Sequence, residues 1–188
     1  ADVFDLRLDL AKATYLQAEE LAERKRLRLA TDEQVAEAQR ILRTVESIFD
    51  DISNQSANRV RQLERREQNA PQAEAQHVQD QLAEARRIRS MARYYSGWCK
   101  YYQAMLGGPD KLSQQALVDF GSILNAPADR PPTIDRVPQG LLRYEHVARA
   151  AVGVALCYSL RGNDAEAIKW IDLVERAVDD AFGNRLLA

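Results

Sequence analysis

The chain has 188 residues, long enough for one domain with a sizeable core or for a short array of repeats. A formal net charge of -2 excludes a large field of one sign as the driver of association, and no apolar run is long enough to read as a membrane span. Only 8 Gly and 6 Pro are present, too few for the many turns of an all-β chain, while Ala, Leu, Arg, Glu and Gln, all strong helix formers, are abundant.

The first predicted helix runs from about residue 5 to 29, with Leu6, Leu10, Ala13, Tyr15, Leu16, Ala18, Leu21 and Ala22 at broadly helical spacing. The alternation Leu6-Arg7-Leu8-Asp9-Leu10 also fits a strand, but the Ala/Glu/Leu/Lys composition that follows decides for helix. Thr31 to Gln34 form a capping-box pattern and open a second helix, on which Ala38, Ile41, Leu42, Val45, Ile48, Phe49 and Ile52 make a narrow apolar stripe. The poor helix formers from Ser53 to Asn58 interrupt that stripe. There the helix either kinks or continues through Val60 and Leu63 as an exposed, weakly packed rod. A turn near Asn69-Ala70-Pro71 leads into a third helix to about Leu106, with Val78, Leu82, Ala85, Ile88 and Ala92 on one face. Helices two and three are therefore expected to form one long antiparallel hairpin.

Gly107-Gly108-Pro109-Asp110 ends the third helix, and a fourth runs from about 111 to 124. Residues 126–140 hold Pro127, Pro131, Pro132 and Pro138 and read as the one loop or linker of the chain. A fifth helix spans about 141–161, apolar almost all round, with Ala148, Ala150, Ala151, Gly153 and Ala155 as small contacts. Gly162-Asn163 supplies its C-terminal turn, and a sixth helix runs to about Asp180. The expected fold is all-α, with antiparallel hairpins stacked on one another. Residues 1–125 would hold the long hairpin and a first helix pair, and 141–188 a second pair, in one continuous domain.

The run from Val154 to Ile168 resembles the tetratricopeptide repeat, in which an aromatic near the end of the first helix precedes a Gly turn and a small Ala on the second helix. Tyr158, Gly162 and Ala167 fall at those spacings, whereas Ala151, Val154 and Ala155 stand where the family has Trp, Leu and Gly, and the closing Pro is missing. A weaker copy lies in Tyr94, Trp98 and Tyr101, followed by Ala116, Phe120 and Pro127. The resemblance implies a short α-solenoid whose concave face binds a peptide or partner protein. By the family's spacing the inward positions are near Tyr95, Cys99 and Tyr102 on one helix and Arg149, Val152, Leu156 and Ser159 on the next.

Tyr94, Trp98, Tyr101 and Met105 form one stripe and Tyr95, Cys99, Tyr102 and Leu106 another about 100° away, so this helix must touch neighbours on two sides. Core packing explains both stripes, and a groove lined by part of the second one is the functional alternative. The basic clusters Arg24-Lys25-Arg26-Arg28, Arg59-Arg61-Arg65-Arg66 and Arg86-Arg87-Arg89-Arg93 could contact phosphates, but interleaved acids make solvated helix faces the simpler reading. The preference for Arg over Lys fits a GC-rich bacterial coding sequence. His77 and His146 have no second ligand at metal spacing, and Asp50-Asp51 and Asp179-Asp180 read as solvated pairs. GxSxG, P-loop, GxGxxG and HExxH motifs are all missing. Cys99 and Cys157 fit no disulfide framework; as buried free thiols they favour a reducing, cytoplasmic setting. The opening segment lacks Met and the pattern of a signal peptide, so a processed product or a piece of something longer is expected.

A non-enzymatic protein-interaction or scaffolding module follows, with no catalytic residues, metal or cofactor expected and no nucleic-acid partner. The alternatives are a helical spacer that self-associates through the long hairpin and, less favoured, an Arg-rich nucleic-acid binder.

Overall fold

The computed structural model describes residues 3–69, 71–127 and 130–186, with side chains placed up to residue 178. Among these residues six α-helices follow one another: α1 Val3–Arg26, α2 Asp32–Glu67, α3 Gln72–Met105, α4 Lys111–Ile123, α5 Glu145–Leu160 and α6 Asp164–Leu186. Two short 3-10 turns, Ile134–Arg136 and Gln139–Leu141, lie between α4 and α5, and no strand occurs among the described residues. Each helix packs on its predecessor, and α3 also touches α1 and α5. The fold is an all-α stack of antiparallel helices with α3 at its centre.

The turns follow local chemistry. Thr31 Oγ1 accepts a hydrogen bond from the Gln34 amide at 3.3 Å, and the Gln34 side chain accepts one from the Thr31 amide at 3.1 Å, which closes the capping box that opens α2. At the end of α5 the Asn163 amide reaches the Tyr158 carbonyl and the Gly162 amide the Ser159 carbonyl, both at 2.9 Å. This double closure needs a left-handed residue, and Gly162 supplies it with φ +73°.

α2 runs unbroken through Ser53 to Asn58, which settles the alternative left open by the sequence in favour of a continuous helix. Ser53 and Ser56 are buried, only 8% and 2% exposed, and they continue the stripe of Phe49 and Ile52 to Val60 and Leu63. The far end of the hairpin is not the weakly packed rod expected from propensity. Val60 and Leu63 are buried against Leu82 and Ala85 in a small cluster of their own. Tertiary contact along 36 residues outweighs a few tenths of a kcal/mol per poor helix former.

The described residues of 126–140 are likewise no free linker, because Pro132 and Val137 are buried and the first 3-10 turn packs on α6. α5 starts at Glu145 rather than near 141, since 139–144 are taken up by the second 3-10 turn and its exit. Its Ala150, Ala151, Gly153, Val154, Ala155 and Cys157 are buried, while Val152 and Leu156 are half-buried and Arg149 and Ser159 exposed. The helix is therefore open along one face. A Cβ on Gly153 would lie 2.6 Å from the Phe120 ring, and one on Gly97 2.9 Å from it. Glycines on α5 and α3 thus form the slot that seats Phe120 of α4, which is fully buried.

One buried charge network ties α2, α3 and α4. Lys100 Nζ donates to Asp119 at 2.7 Å, to Asp50 at 3.2 Å and to Ser96 at 2.8 Å. Burial works against the ammonium, but Asp119 and Asp50 outweigh it and hold Lys100 above its ordinary value. Burial pushes the Asp119 carboxyl up despite Lys100. Asp50 and Asp51 keep partly solvent-exposed carboxylates, as expected, and each also makes an ion pair, Asp50 with Lys100 at 3.2 Å and Asp51 with Arg7 at 2.7 Å. Lys100→Met leaves the carboxylates of Asp119 and Asp50 uncompensated and is expected to cost about 3–5 kcal/mol at neutral pH, read from urea unfolding. Adding Asp119→Leu should recover a large part of the loss; no recovery would show that Lys100 acts by packing alone.

Candidate functional site

α1 carries Leu8, Ala11, Tyr15, Ala18 and Ala22 on its buried face. Three alanines in this stripe let the helix approach closely, so α1 lies directly on the aromatic stretch of α3. Tyr15 meets Tyr95 at 5.3 Å between ring centres and Tyr102 at 6.5 Å, and Phe49 of α2 stacks on Tyr95 at 5.3 Å. From the opposite side Trp98 meets Phe120 edge-on at 5.2 Å. Every residue from Tyr94 to Gln103 is buried, so both predicted stripes are core.

The resemblance-implied groove positions therefore separate. Tyr95 and Tyr102 are 8% and 4% exposed and largely covered by α1, so neither presents the open ring face a groove would need. Tyr95 reaches the cleft between α1 and α5 only by an edge, and Tyr102 does not line it. Cys99 is fully buried. Arg149, Val152, Leu156 and Ser159 stay on the outer face of α5, with Arg149 the one that reaches back to the aromatics. Its guanidinium lies 5.7 Å from the centre of the Trp98 ring and 3.2 Å from Glu19 of α1.

Glu19 is the hub of this junction. It accepts hydrogen bonds from the Tyr15 hydroxyl at 2.8 Å and from Arg149 at 3.2 Å, with the Tyr102 hydroxyl at 3.4 Å. Tyr102 also donates to Glu23 at 2.9 Å. Burial first, and then these carboxylates, push the Tyr15 and Tyr102 phenols far above their ordinary value. Burial also pushes Tyr94 up to about 12, against the pull of Arg149. All three phenols are thus protonated at neutral pH, and Tyr15 and Tyr102 act as hydrogen-bond donors to the carboxylates.

Above the hub, α1, α3 and the first turn of α5 leave a cleft of about 280 Å³, rimmed by Lys12, Leu16, His146 and Arg149 over Tyr94 and Tyr95. It offers aromatic and apolar surface with charges of both signs at its edge, the composition that accepts an amphipathic side chain or short segment. A wider hollow of about 570 Å³ between the α3–α4 turn and the end of α5 is lined by Lys111, Gln114 and Arg161 and has no aromatic floor.

Sequence reasoning did not find Tyr15, Glu19 or the partnership of Arg149 with Trp98. The small-residue stripe Ala11, Ala18, Ala22 around Tyr15 was the available signal for close α1–α3 packing. Of the other candidates, His77 is exposed beside Gln81, and His146 is exposed at the cleft. Asp179-Asp180 lie outside the described side chains. Cys99 and Cys157 are buried free thiols. No group of three His, Cys, Asp or Glu that could hold a metal occurs among the described residues, and none of the described helices is long and apolar enough to cross a membrane. Many arginines sit in ion pairs, Arg26 with Glu23, Arg66 with Glu74 and Arg87 with Glu84 and Asp5. Comparison with protein-family models, curated proteins and solved structures returns no match to this chain.

Proposed function

We propose that the chain is a tetratricopeptide-like protein-interaction or scaffolding module, and that its partner docks in the cleft between α1 and α5. The observation that carries this reading is the cleft's makeup: a tyrosine floor under a rim where Arg149, Glu19 and His146 converge from two helices. Leu16 and Met91 supply most of the apolar area, the enclosed tyrosines beneath them hold the floor rigid, and the rim supplies orientation. The tight turn at Gly162 and the small Ala167 at the α5–α6 crossing support the repeat resemblance. The partner in this reading is a peptide or protein segment that places an apolar side chain on Tyr94.

A photo-crosslinking residue at position 146 is expected to capture that partner in cells, whereas one at Asp80 on the exposed hairpin captures none. Arg149→Glu should weaken the complex about tenfold or more, while far-ultraviolet circular dichroism shows the fold intact. Capture from position 80 alone would move the interface to the hairpin and favour the self-associating spacer. That second reading has less support: no large apolar residue is exposed along the described parts of α2 and α3.

A further inference from the structure

Two of the arginine clusters in the sequence converge in space. Where the end of α4 meets the hairpin, a second cleft of about 340 Å³ is lined by Arg86, Arg89, Ser90 and Arg93 of α3, Glu64 of α2 and Ser122 of α4. That volume lies in the range of small-ligand pockets, roughly 300–1,000 Å³. Glu64 is the one carboxylate among these, and Arg86 already holds it at 2.9 Å. Arg89 and Arg93 are half-buried, and among the described residues no carboxylate lies within salt-bridge distance of either. Asp119 feels the charge of Arg93 but is bound directly by Lys100, at 2.7 Å. Arg61 adds a fourth positive charge beside the cleft, hydrogen-bonded to the neutral Asn58.

Half-buried like charges without a direct ion pair are costly, and a ligand that neutralises them recovers part of that cost. The last turn of α4 brings the negative end of a helix dipole, about half a charge, and Glu64 and Asp119 act on Arg89 and Arg93 without an ion pair, so the two guanidiniums are only partly balanced. Burial and then the fields of Arg93 and Arg61 hold the Arg89 guanidinium below its ordinary value, the direction that incoming negative charge reverses. A guanidinium offers a planar fork of donors, and a tetrahedral dianion has enough oxygens to engage two forks and a hydroxyl, where a carboxylate has two.

We propose that this cleft is a phosphoryl-binding site in which Arg89 and Arg93 each make a two-pronged contact and the Ser90 hydroxyl donates to a further oxygen. The ligand is a phosphate dianion, free or carried on a small organic group that fills the rest of the cleft. The site shares no residue with the aromatic cleft and stands or falls independently of the proposed partner.

The test is calorimetric titration of the full chain at low ionic strength with inorganic phosphate, phenyl phosphate and, at matched ionic strength, sodium chloride and acetate. One saturable site for phosphate or phenyl phosphate is expected, with chloride and acetate giving none. Tighter binding of phenyl phosphate identifies a carried phosphate, and tighter binding of inorganic phosphate the free ion. At about five times its Kd the ligand should raise Tm by about 2–4 °C. Arg89→Gln and Arg93→Gln should each weaken binding at least tenfold without lowering the ligand-free Tm, because each removes a repulsion. Arg89→Lys keeps the charge but loses the fork and should also bind more weakly, which guards against a variant that fails to fold. Arg143→Gln, remote from the cleft, should change nothing. Absence of saturable binding by the wild type, equal binding of acetate, or undiminished binding by the Arg89 and Arg93 variants overturns the proposal.

Discussion

Gly153→Ala is expected to destabilise the protein, although helix propensity alone predicts a gain of about 0.5–1 kcal/mol for the same change. Gly153 has no unusual φ, so the backbone would accept alanine; what resists it is the Phe120 ring, 2.6 Å from the new methyl group. Overpacking of this kind costs about 1–3 kcal/mol, which exceeds the propensity gain and sets the sign. Phe120→Ala should cost about 3–5 kcal/mol, since it empties a slot enclosed by α3, α4 and α5. The two positions must then be coupled. In the double variant Gly153→Ala/Phe120→Leu the alanine should be tolerated, and a cycle of urea unfolding free energies should give an interaction of about 1 kcal/mol or more. Additive effects, or a stabilising Gly153→Ala, would show that the ring can move aside.

The second large effect is alkaline unfolding at an unusually low pH. Burial pushes the Cys99 thiol up from an ordinary value of 9.0 and Cys157 up to about 12. It also pushes Tyr101 and Tyr94 up from 10.0 to about 12, and Tyr15 and Tyr102 further. In each case the folded value lies above the unfolded one. The stability these groups contribute is therefore complete below about pH 9 and lost as pH rises toward the folded values. At 1.36 kcal/mol per pH unit, each thiol forfeits about 1.4 kcal/mol by pH 10 and each phenol about the same by pH 11. Six such groups match the whole stability of a typical domain, about 5–15 kcal/mol, so the midpoint is expected near pH 10–11. Absorbance at 295 nm should rise together with the loss of helicity, and Cys99→Ala should move the midpoint upward. Phenolate formation by Tyr15 and Tyr102 with helicity intact would contradict the enclosure of this cluster.

The helices were legible because their signals are local. Thr31 and Gln34 marked the start of α2, Gly162 the end of α5, and the spacing from Ala38 to Ile52 the buried face between. What escaped depends on distant partners. Ser53 and Ser56 read as helix breakers, yet small hydroxyls suit a close helix crossing, and only the presence of α3 turns that into an advantage. Tyr95 and Tyr102 were correctly placed on one stripe, but a stripe facing a neighbour and a stripe facing a groove have the same periodicity. Their enclosure follows from Tyr15, 80 and 87 residues earlier, and no spacing rule connects them. Asp50, Lys100 and Asp119 looked unremarkable one by one because the network spans three helices.

The unbroken course of α2 has a mechanical consequence. Thirty-six residues at 1.5 Å each make a rod of about 54 Å, laid against an α3 of nearly equal length. The pair is clamped at the middle of α2, where Lys100 holds Asp50, and joined further out by Val60, Leu63, Leu82 and Ala85. Beyond that clamp the rod behaves as a lever: Glu67 lies 17 residues, or about 26 Å, past Asp50, so a tilt of one degree carries the tip through about 0.4 Å. Slippage of a few degrees at the clamp therefore moves the turn at Asn69 through about one to two ångströms, enough to make or break a hydrogen bond with a neighbouring molecule.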